Sequence, residues 1–69
     1  MEKADMAKVE GYLRKTFGNT TLRVVPRAKK KDSAEVYLGD EFIGVLSEDI
    51  DEGEKSYFFE MAILDTDLD

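Results

Sequence analysis

The stretch Ser33-Ala34-Glu35-Val36-Tyr37-Leu38-Gly39-Asp40-Glu41-Phe42-Ile43-Gly44-Val45-Leu46 constrains this chain more than any other, because it reads as two strands joined by a two-residue turn. Gly39 and Asp40 sit where a primed hairpin turn needs positive φ, which glycine adopts freely and aspartate better than most residues. That turn sets Leu38 opposite Glu41, Tyr37 opposite Phe42, Val36 opposite Ile43 and Ala34 opposite Val45. Strand alternation then predicts one face made of Ala34, Val36, Leu38, Ile43 and Val45. The other face carries Tyr37 against Phe42, with Gly44 and Leu46 nearby.

Residues 2–17 read as an amphipathic helix, with Met6, Val9, Leu13 and Phe17 recurring at helical spacing. Glu2 and Asp5 near its start and Arg14 and Lys15 near its end suit the helix dipole. Gly18-Asn19 is the expected stop. Gly11 falls on the outer side of the helical wheel, where it costs about 1 kcal/mol relative to alanine. A first strand is expected at about 20–26, at a sheet edge or ended by Pro26, which cannot donate to a ladder. The hairpin strands are placed at 33–38 and 41–47. The acidic run Ser47–Lys55 reads as a loop, and a longest, most apolar strand is expected at 56–64. In that strand Tyr57, Phe59, Met61 and Ile63 alternate on the inner side, and Phe58, Glu60, Ala62 and Leu64 on the outer. An acidic tail, 65–69, is expected to fray.

The expected fold is therefore α+β: an N-terminal helix packed on one face of a four-stranded antiparallel meander, forming a single domain over residues 1–69. A 69-residue chain has little core to spare, and chains this small often add disulfides, a metal or a partner subunit. This one has no Cys and no His, so disulfides are impossible and zinc, haem and iron–sulfur ligation lose their usual side chains. Of the common supports, association is the one left. The absence of cysteine, of an apolar span and of a signal-like N-terminus reads as a cytoplasmic protein with no membrane partner.

A resemblance accompanies these patterns. Phe17-Gly18-Asn19, Leu22-Arg23-Val24-Val25, Lys31 to Tyr37, Gly39 to Leu46 and Met61-Ala62-Ile63-Leu64-Asp65 together resemble domain of unknown function 3126, a family of short alphaproteobacterial proteins. The resemblance covers most of the chain in the same order. It implies a polar residue where this chain has Phe58, and hence an outward-facing position there. It implies no activity, cofactor or catalytic residue.

Three residue clusters carry possible chemistry. Glu48, Asp49, Asp51, Glu52 and Glu54 crowd one short stretch, and hard cations favour oxygen ligands. An EF-hand register fails, however: starting at Glu48 puts Phe59 where the bidentate glutamate belongs. The run reads as a solvated hairpin loop open to weak cation association, with no specific metal and no cofactor. Arg23, Arg27, Lys29, Lys30 and Lys31 form a basic segment that, beside the aromatics Tyr37 and Phe42, gives the alternative reading of a nucleic-acid-binding accessory. The net charge of −6 opposes that reading. Catalysis is not expected, since no His or Cys is present and Ser33, Ser47 and Ser56 lack a nucleophile signature.

One short helix covers one sheet face. The other is expected to leave Tyr37, Phe42, Leu46, Phe58 and Leu64 uncovered, and the last strand to leave an edge unpaired. The expected function is a small interaction module that self-associates, as a homodimer, or docks on a protein partner through that face or edge.

Overall fold

The computed structural model describes residues 1–68. Helix α1 spans Lys3–Phe17, followed by strands β1 (Leu22–Pro26), β2 (Ser33–Leu38), β3 (Glu41–Asp51) and β4 (Glu54–Glu60), and by a short 3-10 helix, Asp65–Leu68. The strands form one antiparallel sheet in the order β1-β2-β3-β4, an α+β meander.

Helix α1 ends as its sequence dictates. Gly18 adopts the left-handed conformation at φ 63°, and the Asn19 N–H donates to the Arg14 carbonyl at 3.0 Å. The Asn19 side chain then accepts from the Thr21 N–H at 2.8 Å and the Thr21 hydroxyl at 2.6 Å. This turn absorbs Thr20 and Thr21, so β1 starts at Leu22 rather than at 20. Met6 and Leu13 are buried on Leu22, Ala34, Val36 and Leu46, with Val9, Val24, Ile43, Tyr57 and Phe59 packed around them. Phe17, expected in the buried stripe, is largely exposed and touches the core through an edge-to-face contact with Phe59 at 6.4 Å.

The first hairpin turns at Gly39-Asp40 as expected, but Gly39 alone takes positive φ, 62°, and Asp40 does not share it, the pattern of a II′ turn. Its register departs from a uniform ladder two residues in. Tyr37 pairs with Phe42, but Val36 pairs with Gly44, leaving Ile43 as the extra residue of a β-bulge. Beyond the bulge Ala34 faces Leu46 and Glu35 faces Val45. Leu46, expected on the uncovered face, is therefore turned into the core and is 1% exposed. Val45, expected inside, moves to the opposite face. A one-residue slip in pairing reverses every later side chain, and the bulge imposes that slip.

Gly44, next to the bulge, lets β4 pass close to β3. A Cβ there would collide with the backbone carbonyl of Glu60 and lie 2.6 Å from the Phe59 ring.

The acidic stretch is not a loop. β3 runs on to Asp51 and turns through Glu52 (φ 52°) and Gly53 (φ 83°) directly into β4. Positive φ at both turn residues is the I′ pattern, whose twist matches the flanking strands. β3 is thus the longest strand. β4 ends at Glu60, four residues before its expected limit, and residues 61–64 leave the sheet. Met61 and Ile63, expected in the core, are 50% and 64% exposed. Of the acidic tail, residues 65–68 are helical, with the Asp67 carboxylate accepting from the Leu64 N–H at 3.0 Å; Asp69 lies outside the described residues.

Candidate functional site

A meander leaves two sheet edges, and this chain treats them differently. Along β1, α1 supplies the missing partners: the Val24 N–H donates to Glu10 Oε2 at 3.0 Å, and Arg14 Nε donates to the Leu22 carbonyl at 2.7 Å. Glu10 and Arg14 lie one helical turn apart and pair at 3.5 Å, so each holds the other in place. Two of the outward groups of β1, the Leu22 carbonyl and the Val24 N–H, are thereby occupied by α1.

β4 has no such cover. Its two-residue turn makes Asp51 and Glu54 a hydrogen-bonded pair. Alternation then directs the backbone groups of Glu54, Ser56, Phe58 and Glu60 toward β3 and those of Lys55, Tyr57 and Phe59 outward. Among the described residues, no backbone or side-chain hydrogen bond from another element reaches these outward groups. An unpaired edge of this kind is a template for another strand.

Apolar surface flanks that edge on both sides. On the helix side, α1 leans toward β1 and leaves a groove of about 440 Å³ between itself and β4, lined by Val9, Tyr12, Phe17, Tyr57 and Phe59 among others. On the opposite face a cleft of about 580 Å³ runs between β3 and residues 60–67, lined by Phe42, Val45, Glu60, Met61, Leu64 and Asp67 among others. Phe58 stands on this second face opposite Ser47 and is 53% exposed. Leu64 reaches the same cleft from outside the sheet, not from the strand position expected for it. Lys55 is tied to the Asp5 carboxylate at 3.0 Å, strapping the start of β4 to the first turn of α1. That hydrogen bond raises the Lys55 pKa, with the Asp5 charge adding to it. Desolvation raises the Tyr57 phenol, with the charges of Asp5 and Glu48 contributing.

Tyr37 and Phe42 lie on the uncovered face, but Tyr37 is already engaged. The Arg23 guanidinium sits 5.2 Å above its ring, and Phe42 meets it edge-on at 5.7 Å. The Tyr37 hydroxyl donates to Glu35 at 3.0 Å, which is the main reason its pKa is raised. Arg23 also donates to the Gly39 carbonyl at 2.8 and 3.1 Å. Arg27 reaches Glu35 at 4.0 Å and the Ser33 hydroxyl at 3.5 Å. Of the five residues of the basic segment, Lys29, Lys30 and Lys31 are the exposed ones on the β1–β2 connection with no such contact. The face presents a half-covered ring rather than a free stacking platform.

The acidic residues are spread along two extended strands, where successive side chains point to opposite faces. Among the described residues, no three of Asp and Glu converge closely enough to hold a metal ion. Asp51 and Glu54 are directly opposite each other, a like-charge pair that weakens the hairpin end. Among the described residues no helix is long and apolar enough to cross a membrane.

Sequence reasoning identified the exposed Phe42 and Phe58 and the open final edge. It missed the groove beneath Tyr12 and Phe17, because helical periodicity does not tell which side of a sheet a helix leans toward. A search of curated proteins and a search of solved structures each returned no match. Residues 5–67 match the profile of a family described as protein of unknown function (DUF3126), and with nearly the whole chain inside that match, the protein belongs to this family.

Proposed function

We propose that this protein is a small, non-catalytic cytoplasmic association module that captures a partner strand along the β4 edge. One observation carries the reading: α1 covers the β1 edge at Val24 and Leu22 through Glu10 and Arg14, while the outward backbone groups of Lys55, Tyr57 and Phe59 take no such bond among the described residues and lie between two apolar flanks. Strand addition draws its affinity from main-chain hydrogen bonds and its specificity from neighbouring side-chain pockets. Phe58, Phe42, Met61 and Leu64 supply the apolar anchors on one side, and Tyr57, Phe59 and Phe17 on the other.

The test is photo-crosslinking in the native cell with a photoreactive residue in place of Phe58, and a control probe in place of Lys29. Protein adducts at position 58 and none at 29 support the reading. Absence of any protein adduct at 58 refutes it. Nucleic-acid adducts at 29 would transfer the assignment to the basic segment.

A further inference from the structure

We propose that the occupant of the β4 edge is a second copy of this chain, paired antiparallel about a two-fold axis passing beside Phe58. This rests on the reading of β4 as a docking edge and goes further by naming partner and register.

The edge is self-complementary in its hydrogen bonding. Residues directly opposite each other in an antiparallel pair share a sheet face, so a two-fold axis there must run perpendicular to the sheet, with one residue facing its own symmetry mate. Three such centres lie near the middle of β4. Centring on Tyr57 sets Glu54 against the partner's Glu60, and symmetry repeats that like-charge contact. Centring on Ser56 sets Phe58 against the partner's Glu54 and leaves Phe59 and Glu60 beyond the start of the partner's strand, with no aromatic opposite an aromatic. Centring on Phe58 places no acid opposite an acid: Ser56 faces the partner's Glu60, Tyr57 faces the partner's Phe59, and Phe58 faces Phe58 of the partner subunit. Opposed like charges destabilise a pair and opposed aromatics stabilise it, so the Phe58 register is selected.

The same register uses the free backbone groups. Tyr57 and Phe59 both point outward, so Tyr57 exchanges N–H and C=O with the partner's Phe59, and symmetry repeats the exchange. The result is a continuous eight-stranded sheet with both helices on one side. The two grooves beneath Tyr12 and Phe17 then meet across the axis, roofing the Tyr57–Phe59 pairs.

The partly exposed Tyr57, Phe58, Phe59 and Met61, with the edge backbone, bury on the order of 500 Å² per copy, or about 1,000 Å² in all. That lies at the low end for a specific interface and implies association in the micromolar range or weaker. Each copy carries a net charge of −6, so the dimer strengthens as salt screens the repulsion.

The chain has no cysteine, so cysteine placement reads the register without background. At the non-hydrogen-bonded centre the Cα atoms lie about 4.5 Å apart, within the span of a disulfide. Under mild oxidation at tens of micromolar, F58C is expected to form a disulfide dimer at least ten-fold faster than S56C or Y57C. Faster linkage at either of those positions, or equal rates at all three, overturns the register. Because F58C removes a contact, sedimentation of the unaltered chain gives an independent readout, with dimer expected to increase between 20 mM and 500 mM salt. A unaltered chain that stays monomeric at millimolar concentration in high salt overturns the self-pairing. If position 58 still crosslinks to another protein in the cell, self-pairing falls and the docking edge stands; if it crosslinks to nothing, both fall.

Discussion

Replacing Gly44 by alanine should be the most damaging single-methyl change in this protein. The added Cβ meets two obstacles, the backbone carbonyl of Glu60 and the Phe59 ring at 2.6 Å. Carbon atoms pack comfortably at about 3.5–4.0 Å, so relief requires a displacement of about 1 Å. The carbonyl cannot rotate away as a side chain could, and the Phe59 ring is held against the core and Phe17. The end of β4 must therefore move outward, weakening the Val45–Glu60 pair and the packing of Phe59. Overpacking of this kind costs about 1–3 kcal/mol, and a lost ladder hydrogen bond adds about 1 kcal/mol. Restricting the unfolded chain returns about 0.4–1 kcal/mol, leaving a net loss of about 2 kcal/mol. For a domain of this size each kcal/mol moves the Tm by about 4–8 °C, so G44A should melt about 8–16 °C lower. Thermal unfolding followed by circular dichroism, with urea titration for the free energy, measures this directly. A G44A protein melting within about 3 °C of the parent would refute the close approach of β4 to the bulge and the reason given for this glycine.

Gly11 offers the converse case: nothing lies within 4 Å of a Cβ built there, so G11A should stabilise the protein by about 1 kcal/mol in urea unfolding. Removing the edge cover with E10A should cost about 1 kcal/mol, since the Val24 N–H loses a part-buried charged acceptor. Hydrogen exchange at Val24 should accelerate selectively in that variant. Tyr37, Lys55 and Tyr57 all have raised pKa values in the fold. Their contribution is complete below the ordinary values of 10.0 and 10.5 and is lost as pH climbs from there through the folded values. Urea midpoints should therefore fall above pH 10, with K55Q flattening part of the slope.

The first hairpin was legible because its turn chemistry is local: Gly39 supplies the positive φ and the flanking residues alternate. The bulge two residues further was not, since Ile43, Val45 and Leu46 are all apolar and either register buries a plausible set. The decision lies in the approach of β4 to Gly44, a contact far apart in sequence. That bulge also explains the early end of β4. Met61 to Leu64 continue a strand-like alternation, but the bulged segment of β3 offers them no regular ladder. In the acidic stretch, propensity pointed to a loop because aspartate and glutamate are poor strand formers. Pairing with Lys55, Ser56 and Tyr57 through the Glu52-Gly53 turn overrode that preference. Of the expected anchors, Phe42 and Phe58 could be found by counting alternation from the turn or within β4. Leu46 could not, because it lies beyond the bulge.

The hold of Glu10 and Arg14 on β1 has a consequence for how large any assembly can grow. A sheet open at both margins adds subunits without limit and ends as a filament. One sealed along a single margin is monovalent: the first arrival consumes the only vacancy, and growth stops. On the proposed pairing at β4, the helix would hold growth at two copies, so E10A and R14A are expected to lower solubility as well as stability.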